Sequence, residues 1–238
     1  MNITSSLINL EVSDGSMAAF VSRPNDDESH PAIIVIQEIF GVNANIRKIT
    51  ETFAAQGYIS VAPDLFHRSG SLLDIPYSEM DTARGLAGST TPDSLISDLE
   101  TVVRHLQADP FALQGKLGIT GYCFGGRVSF LAATSIQGIS AAAVYYGGGI
   151  ASEGGPLNSA ATISAPIIGF FGENDQNPSP DDVDRIANEL KSLGKTHEFH
   201  SYAGAGHGFM CDDRGSYNEA AANDAWEKTF AFFSDQLA

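Results

Sequence analysis

Cysteine, aspartate and histidine can together form a nucleophilic centre, and this sequence carries all three in loop settings rich in glycine. Cys123 lies in Gly121-Tyr122-Cys123-Phe124-Gly125-Gly126. Asp175 closes Gly172-Glu173-Asn174-Asp175, and His207 lies in Gly204-Ala205-Gly206-His207-Gly208-Phe209. In such a set the cysteine attacks a carbonyl, and the imidazole takes its proton and returns it to the leaving group. The carboxylate holds the imidazole and stabilises its cation. The chemistry is acyl transfer through a thioester. Each residue alone has a plainer reading. A lone cysteine is more often a small core hydrophobe, a loop aspartate is often a turn or helix cap, and a loop histidine is often merely exposed.

The surrounding elements decide between these readings. Residues 116–120 are apolar enough for a buried strand, and 127–133 are apolar and rich in helix formers. Strand, sharp turn and helix is the setting of a nucleophile elbow, G-x-S-x-G, with cysteine in place of serine. Gly121 and Gly125 let strand and helix approach closely, and the free N–H groups at the helix start favour negative charge beside Cys123.

The rest of the chain supplies alternating strands and helices. Residues 5–12 and 17–22 alternate around Asp14-Gly15 and predict an antiparallel hairpin at a sheet edge. Residues 32–36, Ala-Ile-Ile-Val-Ile, form an unbroken apolar run, as in a parallel strand covered on both faces. Further strands are predicted over 59–62, 141–146, 166–171 and 196–202. Helices are predicted over 45–56, 92–107, 181–193 and 218–237. Residues 65–91 mix Gly, Ser and Pro with scattered apolar residues and allow at most a short helix over 78–86. Such an excursion is often a lid or binding loop. The pattern predicts an α/β fold: a mostly parallel sheet with helices on both faces and an N-terminal antiparallel hairpin, in one domain over 1–238.

In such a sheet the site forms at the carboxyl ends of the strands. Glu38, Cys123, Asp175 and His207 each follow a different predicted strand. Their chain order of nucleophile, acid and histidine is that of α/β-hydrolases. Other signals are weaker. His197 and His200 are three apart on a strand, face opposite sides and make a poor metal pair. Gly147-Gly148-Gly149 lacks the lysine of a phosphate loop. Of Tyr145 and Tyr146, one belongs in the core and the other can line the site. Tyr145 is carried forward as a substrate-binding candidate.

Composition narrows the class. The chain has 238 residues, is 43% apolar and 18% charged, and has a formal net charge of −16, which disfavours nucleic acid or an anionic membrane as partner. An anionic substrate would need a local cation. No apolar run reaches membrane-spanning length, and residues 1–10 lack the pattern of a signal peptide. With two cysteines, Cys123 and Cys211, no disulfide framework is expected, and a cytoplasmic location follows. Cys211 is expected to pack rather than to pair with another thiol. The sequence does not indicate an oligomeric state.

Four blocks resemble the dienelactone hydrolase family. They are Gln37-Glu38-Ile39-Phe40-Gly41-Val42-Asn43, Ala62-Pro63-Asp64-Leu65-Phe66, Gly121-Tyr122-Cys123-Phe124-Gly125-Gly126 and Gly206-His207-Gly208-Phe209. The resemblance covers nearly the whole chain. It implies a catalytic triad of Cys123, His207 and Asp175 and an oxyanion hole from the backbone N–H groups of Ile39 and Phe124. It also implies that Glu38 contacts the thiol in the resting enzyme, and it implies no metal or organic cofactor. The implied activity is the opening of enol-lactones or cleavage of related activated esters. A broader carboxylesterase, or a non-catalytic binding protein on the same fold, is the alternative. The chain departs from the family at one place: the arginine expected four residues after the histidine is Cys211. Arg214 and Arg84 are the candidate replacements for binding a substrate carboxylate.

Overall fold

A computed structural model describes all 238 residues. Its frame is one sheet of eight strands in the order β1-β2-β4-β3-β5-β6-β7-β8. The strands are β1 (Ile3–Val12), β2 (Gly15–Pro24), β3 (His30–Ile36), β4 (Ile59–Pro63), β5 (Ala112–Tyr122), β6 (Ala141–Tyr145), β7 (Ile167–Gly172) and β8 (His197–Tyr202). The β1–β2 hairpin is antiparallel, β2 pairs antiparallel with β4, and all other neighbours are parallel. The helices are α1 (Ala44–Ala55), α2 (Met80–Gly88), α3 (Pro92–Ala108), α4 (Phe124–Ser135), α5 (Pro180–Ser192) and α6 (Glu219–Gln236), with a 3-10 segment at Pro156–Thr162. None is long and apolar enough to cross a membrane.

The unbroken apolar strands are explained by two cores, one on each face of the sheet. Ile34 and Ile36 belong to one core, which also contains Leu99 of α3, Val128 of α4 and Ile186 of α5. Ile33 and Val35 pack with α1 and α6 through Phe53 and Phe233. A strand with helices on both sides must be apolar at every position, so it loses the alternation seen in β1 and β2.

The start of α4 fixes the site. The helix begins at Phe124, three residues before its apolar pattern does, because Gly125 and Gly126, poor helix formers, hide its first turn from the sequence pattern. They are present for close packing. A Cβ on Gly125 would stand 2.5 Å from the Ile36 carbonyl oxygen, and one on Gly126 2.4 Å from that of Tyr145. A Cβ on Gly121 would stand 2.1 Å from the Gly125 carbonyl oxygen. The strand β5 extends back to Ala112, further than expected, through polar residues such as Gln114 and Lys116 that carry no strand signal.

The excursion after β4 is ordered by its own contacts. The buried Asp64 carboxylate accepts hydrogen bonds from the backbone N–H of Phe66 at 3.1 Å and of Leu72 at 2.6 Å. Ile75 N–H donates to the Phe40 carbonyl. Gly41 lies so close to the Leu73 carbonyl oxygen that a Cβ would stand 1.9 Å from it. Arg68 reaches both Asp14 in the β1–β2 turn and the fully buried Asp98 on α3, at 2.6 Å each. Asp14, His67 and Asp98 lie close enough together to suggest a metal site, but the guanidinium already fills the place of a cation there.

Candidate active site

Cys123 stands between β5 and α4 with φ 57° and ψ −115°. A non-glycine residue in this region is strained by roughly 1–3 kcal/mol, and the surrounding glycine contacts hold it there. Its N–H donates to the Tyr145 carbonyl at 3.1 Å. Four other helices are capped by side chains at their starts: Asn43, Thr91, Ser179 and Asn218 each accept a hydrogen bond from the first turn. The start of α4 has no side-chain cap. Gly126 and Arg127 N–H donate to the Cys123 carbonyl at 3.0 and 3.3 Å, and the helix start favours negative charge at the cysteine. The N–H groups of Phe124 and Ile39 make no hydrogen bond within the chain, so both are free to take a third party's oxygen.

His207 follows β8 and Asp175 follows β7. Asp175 is 3% exposed. Its Oδ2 lies 2.8 Å from His207 Nδ1, and its Oδ1 accepts from the Asn177 N–H at 2.9 Å. With Nδ1 engaged, Nε2 is the imidazole atom left for Cys123, against which His207 lies. Burial works against the imidazolium, but the hydrogen bond with Asp175 and the nearby Cys123 outweigh it and push the pKa up to about 10.

This shift has a consequence for stability. A folded-state pKa raised from 6.5 to about 10 contributes stability that is complete below the unfolded value and is lost as pH rises toward the folded one. Asp175→Asn removes part of that contribution. The melting temperature of wild type should exceed that of Asp175→Asn most near neutral pH, and the gap should shrink between pH 7 and about 10. A gap that stays constant or widens over this interval would contradict the linkage.

Glu38 is fully buried. Its Oε1 accepts from Arg214 Nη1 at 3.3 Å, and its Oε2 is buried with no partner. No hydrogen bond joins it to Cys123, so the carboxylate turns to the arginine rather than to the thiol. Burial pushes the Glu38 carboxyl up, and the Arg214 and His207 cations offset this only in part. The arginine enters because residue 208 is glycine, where a Cβ would stand 2.6 Å from Arg214 Nη1. Its guanidinium carbon then lies over the rings of Phe40 and Tyr77, at 5.3 and 5.5 Å from their centroids.

The other candidates are placed as follows. Arg84 is exposed on α2 and lies 3.7 Å from Asp81 on the same helix, so its charge is engaged locally. Tyr145 is in the core, stacked between Tyr122 and Phe170, with its hydroxyl against Thr229 of α6. Tyr146 is buried in the same core and also borders the site. It adopts φ 36°, and its ring stands edge-on to the His207 imidazole with centroids 5.2 Å apart. Cys211 is buried and unpaired, with its sulfur 3.3 Å from the Tyr77 hydroxyl, which also accepts from Asn43 Nδ2. Tyr77 comes from the excursion after β4, whose sequence gives it no distinguishing pattern.

This geometry can be set beside known proteins. The sequence model of the dienelactone hydrolase family matches residues 17–237. The carboxymethylenebutenolidase of Pseudomonas putida is 31% identical over 233 residues, covering 95% of each chain. A Synechocystis sp. relative carrying the carboxymethylenebutenolidase name is 33% identical over 244 residues, covering 100% of this chain and 99% of its own. A crystal structure from Klebsiella pneumoniae that carries the dienelactone hydrolase name superposes with a TM-score of 0.90 at 30% identity, over 98% and 99% of the two chains. Motif, topology and relatives agree: this chain is a hydrolase and belongs to the dienelactone hydrolase family, on the α/β-hydrolase fold.

Proposed function

We propose that this protein opens enol-lactones or cleaves related activated esters through a Cys123–His207–Asp175 triad. The observation that carries the reading is Cys123, held strained at an uncapped helix start beside an imidazole that Asp175 orients at 2.8 Å. The Cys123 thiol proton passes to His207 as the sulfur adds to the acyl carbon, and the carbonyl electrons move to oxygen. The N–H groups of Phe124 and Ile39 accept that developing charge. The intermediate collapses by breaking the bond to the leaving oxygen, which takes its proton from His207. A water then loses a proton to His207 and attacks the thioester, releasing the acid and Cys123. Free-thiol chemistry suits a reducing, cytoplasmic setting.

Leaving-group chemistry sets the expected preference. The tetrahedral intermediate can expel the thiolate or the leaving group, and the thiolate leaves readily. An enolate or phenolate competes because its charge is delocalised; an alkoxide competes less well and an amide nitrogen poorly. The experiment is kcat/KM on an enol-lactone, an aryl ester, an alkyl ester and an anilide. Values should fall in that order. Faster cleavage of the anilide than of the aryl ester, or no turnover of any member, would overturn the reading. Cys211, standing where the family's arginine is expected, favours a second reading as a broader carboxylesterase. That reading predicts equal values for a carboxylated lactone and its methyl ester.

A further inference from the structure

We infer that Gln37, at the exit of β3, is the positioning residue of the oxyanion site: its side-chain oxygen fixes the turn that carries the Ile39 N–H, through the same short segment that braces Phe124. The inference rests on the hydrolase reading above, which gives those two N–H groups their task.

Gln37 is an amide directly after the apolar run of β3, and it is fully buried. Its Oε1 accepts from the Leu65 backbone N–H at 3.2 Å, and its Nε2 is buried with no partner in the protein. A buried donor left unmatched is costly. A methionine here would avoid that cost, but it would leave the Leu65 N–H unmatched instead. The side chain is thus held for its oxygen.

That oxygen acts where the turn has few other supports. Ile36 is the last residue of β3 to pair in the sheet, opposite Gly121. From Gln37 to Gly41 the backbone is tied by two hydrogen bonds, Gly41 N–H to the Glu38 carbonyl at 3.4 Å and Ile75 N–H to the Phe40 carbonyl at 3.1 Å. The side-chain supports are Glu38, which takes Arg214 Nη1 at 3.3 Å, and Gln37, which stands nearest the sheet. Ile39 lies two residues beyond it.

The partner of the Gln37 oxygen links both N–H groups. Leu65 and Phe66 are buried at the exit of β4. Phe66 N–H donates to Asp64 Oδ1 at 3.1 Å, and its ring packs on that of Phe124 with centroids 5.6 Å apart. The Gln37 backbone also abuts α4, since a Cβ on Gly125 would stand 2.6 Å from its carbonyl oxygen. Leu65 and Phe66 therefore touch the Ile39 turn through Gln37 and the Phe124 ring directly. Catalytic donors work only when held within about 0.5 Å of the productive geometry. A brace shared by both donors fixes their separation.

The test compares wild type with Gln37→Met, which keeps the side-chain length and removes the acceptor. The whole protein is assayed for kcat and KM on an activated aryl ester, for the inhibition constant of an aryl trifluoromethyl ketone, and for the rate of Cys123 alkylation by iodoacetamide. The ketone reports the oxyanion directly. The Cys123 sulfur bonds to its carbonyl carbon, the thiol proton passes to His207, and the carbonyl π pair becomes a charged oxygen. Iodoacetamide reports the thiol alone, because the sulfur displaces iodide from a saturated carbon. In Gln37→Met, kcat should fall and ketone binding should weaken by about 10- to 100-fold each, as for a donor misplaced rather than lost. KM and the alkylation rate should stay at their wild-type values. Gln37→Asn, whose amide is one carbon short of Leu65, should behave alike and replaces Gln37→Met if that variant does not fold. An unchanged kcat overturns the inference and leaves the hydrolase reading intact. Equal losses in kcat and in alkylation also overturn it, since they report a general loss of site structure. If wild type turns over no ester while ketone binding depends on Gln37, the hydrolase reading falls and the positioning role stands. If wild type neither turns over esters nor binds the ketone, both fall.

Discussion

Cys123→Ala should abolish ester turnover, by at least ~10³-fold in kcat/KM, while the protein stays folded. Alanine carries the same Cβ as cysteine, so it adds nothing to the strain at φ 57° and removes only the sulfur. The close contacts that shape the elbow come from Gly121, Gly125 and Gly126 and are untouched. The Asp175–His207 hydrogen bond also remains, so the imidazole keeps its orientation but has no nucleophile to serve. The measurement is kcat/KM on an activated aryl ester, with circular dichroism to show that the fold persists. Near-normal turnover in a folded variant would sink the triad mechanism. The loss should be larger than for any other single change, because no other thiol can substitute: Cys211 is buried beside Tyr77.

The second large effect is expected at Asp175. In Asp175→Asn the side chain keeps its size, and its oxygen can still accept from the Asn177 N–H. The charge beside His207 Nδ1 is gone, and an amide placed to donate there would force the imidazole into the wrong tautomer. In other triads this error lowers kcat by about 10⁴-fold, and a comparable loss is expected here. Because binding contacts are unchanged, kcat should carry the effect and KM should move little. A loss under about tenfold would mean that another group orients the imidazole, with Glu173, two residues earlier, the first to examine.

Legibility in the sequence follows how local the controlling contacts are. The apolar strands and the placing of Cys123, Asp175 and His207 after successive strands are read directly, because each depends on a short stretch of sequence. Alternation predicts that only one of Tyr145 and Tyr146 is core, but both are buried on the same face of the sheet. Tyr145 ends β6 with its hydroxyl against Thr229 of α6, and the positive φ at Tyr146 breaks the alternation, keeping its ring in the same core and edge-on to the histidine. The pairing of Glu38 with Arg214 joins residues far apart in the chain and depends on the missing Cβ at Gly208. No spacing rule reaches that far. The excursion after β4 is held by Asp64 and by contact with Gly41, so its order is tertiary and its composition alone resembles a loose loop.

The two cores shape how this sequence can drift over generations. Ile33 and Val35 belong to the core with α1 and α6, while Ile34 and Ile36 belong to the core on the opposite face. A volume change at one of these positions is felt by neighbours on its own face and hardly at all across the sheet, because the strand backbone lies between. Compensating substitutions among relatives should therefore group by face, with neighbouring residues in a strand varying independently. The elbow glycines are the exception, since backbone oxygens oppose them from β3 and β6 and no side-chain change can make room. The family can thus exchange much of both cores, one face at a time, around a turn that stays fixed.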